Sequence, residues 1–335
     1  MNKLLIIFCC LVCNLSYSQD RGGYQLMVTH DNDSFAYFLN LRNDDDHYTG
    51  GVKVELLTPE WKFYQPFIPL KNAEYVRSTF AFSVTAFTPQ NLGSEIQYGD
   101  RPYASFTALS FGKEYYGKNS FLKSELYIGF LGLDLAKDGQ SYIHDEELFG
   151  TKRIVPEGWH HQIGNDNVFT FNYNVNYLKQ FANKKWNGFN FASAYRLGTN
   201  LGSYMTDVSL GLNLACNINT TPYIVGTPPA KKKKEAILMK KKKKLLRVNI
   251  YIEPKLRHVL HNSTLEGALF ADNSVYTINH SDIRRYQFEG STGVNFNFFD
   301  TAYLGFTING RSQEFKGAKD VHYWGSLSLG LRLCD

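Results

Sequence analysis

Residues 167–178 hold a clear alternation: Phe169, Phe171, Tyr173, Val175 and Tyr177 share one parity, and Thr170, Asn172, Asn174 and Asn176 the other. A period of two is the signature of a strand, whose successive side chains point to opposite faces. The partition is also unusual. A soluble sandwich turns its polar face to water, and Lys and Glu usually dominate that face. Here the polar face is built of small uncharged amides and hydroxyls, and the other is aromatic. That combination suits a wall with lipid on one side and a polar lumen on the other.

The pattern recurs. Val52, Val54 and Leu56 alternate with Lys53 and Glu55. Phe288, Val294, Phe296 and Phe298 oppose Gln287, Glu289, Ser291, Asn295 and Asn297. Leu304, Phe306 and Ile308 oppose Thr307, Asn309 and Arg311, and Leu327, Leu329, Leu331 and Leu333 oppose Ser326, Ser328 and Arg332. Segments of helical period are almost absent, aromatic residues make up 15% of the chain, and there are 27 glycines. Twelve strands are expected, near 23–33, 49–58, 77–87, 104–115, 121–133, 166–180, 187–199, 204–217, 246–256, 283–298, 301–314 and 321–333. An even number lets a single chain close. The fold class is therefore all-β: a twelve-stranded antiparallel outer-membrane β-barrel. A secreted β-sandwich is the soluble alternative.

The N-terminus agrees with export. Lys3 precedes the apolar run 4–13, and small residues lead to Gln19. This reads as a signal peptide over 1–18, too short to span a bilayer as a mature helix. Residues 19–335 are expected to form one barrel domain. Cys216 and Cys334 remain after cleavage and read as ordinary apolar residues at strand ends. The net charge of +5 comes mostly from Lys231 to Lys234 and Lys240 to Lys244, so nothing points to a nucleic-acid partner.

With the N-terminus in the periplasm, odd-to-even connections are external: 34–48, 88–103, 134–165, 200–203, 257–282 and 315–320. Several are long, as external loops of such barrels are. The connection 218–245 is the exception, a long basic segment on the periplasmic side. It reads as a solvated stretch or a patch for anionic lipid head groups.

Functional groups concentrate on the external side. Asn32-Asp33 ends the first strand, and Tyr48-Thr49-Gly50 opens the second. Thr88-Pro89 is followed by Asp100-Arg101-Pro102-Tyr103-Ala104. The 134–165 loop carries Gln140, His144, Asp145, Glu146 and Glu147, then Pro156-Glu157-Gly158-Trp159-His160-His161-Gln162. Each element has a plain reading alone. Asn-Asp before a turn is usually an Asx-turn, a loop histidine is usually a surface histidine, and Asp44-Asp45-Asp46 is a solvated loop. His160 and His161, beside Trp159, are rival bases to His144. Arg101 reads as structural, pairing with Asp100.

Taken in order, the set resembles the outer-membrane lipid A 3'-O-deacylase family, over Asn32 to Gln162. The resemblance implies a twelve-stranded barrel with a calcium-dependent esterase site near the outer leaflet. It implies hydrolysis of the 3'-linked acyloxyacyl ester of lipid A in lipopolysaccharide, within the bacterial outer membrane, by a monomer or weak dimer among outer-membrane lipids. His144 matches the catalytic histidine. A neutral-range imidazole suits a general base, and a hard cation with oxygen ligands suits the electrophile. Gln140 precedes His144 by one turn of a short helix expected in the 134–165 loop. Asp33 is expected to ligate Ca2+, with Thr49 binding metal or substrate and Asn32 orienting the histidine or the attacking water. An acid after the histidine helps the metal in the family, and Glu147 is taken for that role among Asp145, Glu146 and Glu147. One departure stands out: no Lys or Arg lies between Pro89 and Asp100, where family members can carry a basic residue. A barrel with a degraded site, acting as a binding or structural protein, is the alternative.

Overall fold

The computed structural model describes residues 23–33, 35, 50–61, 67–145, 156–218, 246–271, 274–299, 301–318 and 321–333. For 143–145 only the helical backbone is described. The signal segment, Thr49, Asp44 to Asp46, Glu146, Glu147 and the lysine-rich 219–245 stretch lie outside these residues.

Twelve strands close into one antiparallel barrel. They are β1 (Gln25–Asn32), β2 (Gly50–Pro59), β3 (Tyr75–Phe87), β4 (Ala104–Tyr116), β5 (Ser120–Leu131), β6 (Val168–Trp186), β7 (Phe189–Gly202), β8 (Met205–Ile218), β9 (Leu246–Asn262), β10 (Tyr286–Phe298), β11 (Ala302–Ser312) and β12 (Val321–Arg332). Each pairs with its sequence neighbours, and β1 pairs with β12 to shut the wall. Closure matters physically, because a free strand edge would leave unpaired N–H and C=O groups in hydrocarbon.

β6 and β9 each run six residues beyond the expected ends. Register shifts explain why. One falls at Gln180/Ala182 in β6 and another at Thr206/Asp207 opposite the end of β9. A bulge slips the period of two, so alternation breaks although the strand continues.

The expected alternation places the side chains. On β8 and β9, Val208, Leu210, Leu212, Leu214, Ile250, Ile252 and Leu256 are exposed to the outside. The inside is polar and filled. Lys53 of β2 bonds Glu125 of β5 at 3.0 Å, and Lys123 bonds Glu55 at 2.7 Å. Arg77 donates to Glu114 and to Tyr116, both at 2.7 Å. On the consecutive strands β7 to β9, Asn213 bonds Glu253, which also pairs with Arg196. A charge taken out of water needs such partners. A cavity of about 280 Å³ remains among Thr29, Lys53, Thr85, Tyr127, Asn172 and Asn200. The described lumen is packed rather than an open bore, which disfavours a diffusion channel.

The helix expected in the 134–165 loop is present as α1 (Leu135–Asp145). A second, α2 (Ser263–Glu266), follows β9 and is capped by Asn262, whose side chain accepts from the Thr264 N–H.

Candidate active site at the outer rim

Register fixes which residues share a face. Asn32 pairs with Gly50, Gly50 with Ala86, and Ala86 with Ser105. Arg77 faces the lumen from an odd position of β3, so Ala86 and Val84, at even positions, point outward. Paired residues in adjacent strands share a face. Asn32, Gly50, Ala86 and Ser105 therefore form one row on the outer wall, at the loop-bearing end of the barrel. At about 4.8 Å per strand, Asn32 lies roughly 10 Å from Ala86.

α1 sits on that row. Its Ala136 packs with Ala86, Leu92, Tyr103 and Trp159 in one buried cluster, and Val84 packs against it. The helix carrying Gln140 and His144 is thus fastened to the outside of the wall, two strands from Asn32 and Asp33. The side chain of His144 is outside the described residues, as are Thr49 and Glu147.

Gln140 is buried, and the Trp159 indole donates to its Oε1 at 2.8 Å. An indole N–H is only a donor, so it must face the amide oxygen, and this fixes which way the amide points. The Nε2 of Gln140 is then a buried donor with no hydrogen-bond partner among the described residues. Trp159→Phe keeps an aromatic ring but removes that donor, along with part of the buried indole's volume. Leaving the amide oxygen unpaired costs about 1–3 kcal/mol. The variant should fold, run as a heat-modifiable barrel on gels, and lose at least tenfold in activity; unchanged kinetics would show that the amide needs no such anchor.

The Pro-x-Gly-Trp-x-x-Gln stretch is the clamp that holds α1. Gly158 lies against the Tyr103 ring, where a Cβ would come within 2.3 Å of a ring carbon. Gln162 is fully buried, accepts from the Ser105 hydroxyl at 2.9 Å and donates to the Gly132 carbonyl at 3.0 Å. The Ile163 N–H bonds the Tyr103 carbonyl at 2.8 Å. The rival bases belong to the same stretch: His160 is exposed, its Nδ1 is 2.9 Å from the Glu157 carbonyl, and the His161 ring lies tilted against it, with centroids 3.7 Å apart.

Arg101 is structural, as expected, but its partner is different. Asp100 takes the Arg101 and Gln90 main-chain N–H groups, at 2.6 and 2.8 Å. The guanidinium turns inward instead, onto Glu314, onto the Thr264 hydroxyl at 2.6 Å and over the Phe87 ring at 4.3 Å. Burial pushes its pKa down, and Glu314 opposes that. Sequence adjacency suggested Asp100, but Glu314 is brought in by barrel closure, which no local spacing reveals.

Asp33 is buried at the end of β1. A buried carboxylate demands hydrogen bonds, a proton or a cation. Gly50 keeps the corner open, since a Cβ there would come within 2.8 Å of the Asp31 carbonyl and 3.7 Å of the Asn32 amide nitrogen. The donors are a carboxylate, an amide and main-chain carbonyls, all hard oxygens of the kind Ca2+ accepts. Among the described residues no group of three His, Cys, Asp or Glu gathers as a metal site.

Fold and rim together define a class: an outer-membrane barrel with Asn32 and the helix that bears Gln140 on the lipid-facing side of its rim. The model of the LpxR outer-membrane protein family matches residues 5–333, and the chain belongs to that family. This bears out the resemblance carried by the motifs. Among solved structures, LpxR from Salmonella typhimurium aligns with a TM-score of 0.68 at 16% identity, covering 92% of this chain and 99% of that one. The β domain of the Bordetella autotransporter BrkA gives only 0.44 at 8% identity, covering 94% of this chain and 100% of that one. No curated sequence matches the chain.

Proposed function

We propose that the protein is a lipid A 3'-O-deacylase that hydrolyses the 3'-linked acyloxyacyl ester at the outer leaflet, with His144 as base, activated water as nucleophile and Ca2+ as cofactor. The observation that carries the reading is the outward row. A reaction site fastened to the outside of a membrane barrel is reached sideways from the leaflet, and lipid A is the lipid of that leaflet with an ester near the interface.

In this reading His144 takes a proton from water as the water attacks the ester carbonyl, then returns it to the departing sugar oxygen. The Gln140 amide, aimed by Trp159, donates to the developing oxyanion. Asn32 orients the water or the imidazole, and Thr49 contacts substrate or metal. Asp33, Thr49 and Glu147 are the residues that would hold Ca2+. When bound, Ca2+ supplies positive charge for the acyl oxygen. The missing basic residue between Pro89 and Asp100 favours the competing reading of a degraded site, so activity must be tested directly. Purified protein mixed with lipid A and Ca2+ should release one acyloxyacyl fatty acid, and the protein's own mass should stay unchanged during the first turnover. A transient mass gain equal to the acyl group would replace water with a Thr49 nucleophile, and no release at all would leave a binding or structural barrel.

A further inference from the structure

The wall beneath the site differs from the wall opposite. On β9 the outward residues Ile250, Ile252, Leu256 and Leu260 are exposed. From Ile250 to Leu260 is ten residues. At about 3.4 Å per residue and a strand tilt near 40°, that is an apolar band roughly 26 Å tall, matching the ~25 Å expected of an outer-membrane barrel. On β4 the outward residues are Ser105, Thr107, Leu109, Phe111, Lys113 and Tyr115, and only Leu109 and Phe111 are exposed.

The row below Phe111 explains the difference. Thr58, Ser78, Lys113 and Ser124 pair in succession across β2 to β5. All four are buried, although they face outward and carry polar groups. The β2–β3 connection covers them at its two described ends. At one end Glu60 accepts from the Lys113 ammonium at 3.2 Å, the Trp61 N–H donates to the Ser78 hydroxyl at 3.0 Å, and the Trp61 ring lies 4.7 Å from that of Phe80. At the other end the Ile68 N–H donates to the Tyr173 hydroxyl at 2.9 Å, and the Tyr173 hydroxyl meets that of Ser124 at 2.5 Å. Phe67 stacks on Tyr173 at 6.4 Å, and Ile68 is exposed. Lipid-exposed rows on this flank therefore run only from the level of Val84 and Phe130 to that of Phe80 and Phe111. That is four residues, about 10 Å of height on the same arithmetic.

We propose that the described ends of the β2–β3 connection, 60–61 and 67–70, form a strap among the head groups of the inner-leaflet phospholipids, and that the outer membrane thins on the β2–β5 flank, directly beneath the α1 rim. Mismatch of this size is met by thinning the bilayer. A charged pair such as Lys113–Glu60 is held against the wall at a depth where the opposite flank meets hydrocarbon, which requires the polar interface to rise to it. The consequence for substrate, which rests on the deacylase reading, is that thinning loosens outer-leaflet lipid where its ester must reach the rim.

The strap is tested without any activity. In the Cys216→Ser, Cys334→Ser background, single cysteines at Ile68 and at Leu109 carry nitroxides, with the protein in dioleoyl phosphatidylcholine vesicles. Relative access to oxygen and to a water-soluble nickel chelate gives each depth. The label at 68 should report the head-group level and that at 109 hydrocarbon. Hydrocarbon readings at both would overturn the proposal. For the consequence, Lys113→Leu with Ser124→Leu adds an apolar row. Deacylation should fall severalfold in vesicles and stay unchanged in detergent micelles, where no bilayer thickness exists. Equal rates in both would remove the link to substrate. Activity absent from the wild type would instead be a failure of the deacylase reading and would leave the depth result standing.

Discussion

His144→Ala should abolish deacylation while leaving a folded, heat-modifiable barrel. Removing a general base costs about 10²–10⁴ in rate. His144 stands in the last turn of α1, and the fastening of that helix rests on other residues. Ala136 packs against Ala86, Gln140 receives the Trp159 indole, and Gln162 pins the clamp to β4 and β5. The substitution leaves each of these described anchors in place. Steady-state kinetics on purified protein, with thermal unfolding as the control, make the check. A loss below tenfold would move the base to another residue, with His160 and His161 the first to examine.

The second large effect concerns the metal. Chelation should eliminate turnover, Ca2+ should restore it, and Mg2+ should restore it poorly, because Mg2+ demands a tight octahedral shell and sheds water reluctantly. Asp33→Asn should reproduce the chelated state at ordinary Ca2+. The substitution keeps the volume of a buried side chain at the end of β1 and removes its charge. If Ca2+ is held there, raising its concentration should recover part of the activity. Activity that is insensitive both to chelation and to Asp33→Asn would contradict a cation at this corner.

The barrel was legible because each strand states its own period. Twelve segments, their order and the external position of α1 follow from alternation and turn residues alone. The two strand ends that ran longer, on β6 and β9, are those where bulges slip the period. The site was less legible for a physical reason. Motif residues say which chemistry is at hand, but not which face of the wall presents it. Only the register, Asn32 to Gly50 to Ala86, puts the row outside. Within the clamp, Gly158, Trp159 and Gln162 prove to be the residues that hold and aim α1. Arg101 illustrates the same limit: its partner, Glu314, is 213 residues away in sequence. The polar residues under the strap leave one faint mark in the sequence: Ser78 interrupts the apolar face that Phe80, Phe82 and Val84 continue.

The central claim is that this rim removes an acyl chain from lipid A. Mass spectrometry of lipid A from cells expressing the wild type or His144→Ala tests it most directly. The account predicts a species lighter by the 3'-linked acyloxyacyl group with the wild type only. Identical spectra from the two strains, with both proteins folded in the outer membrane, would contradict it.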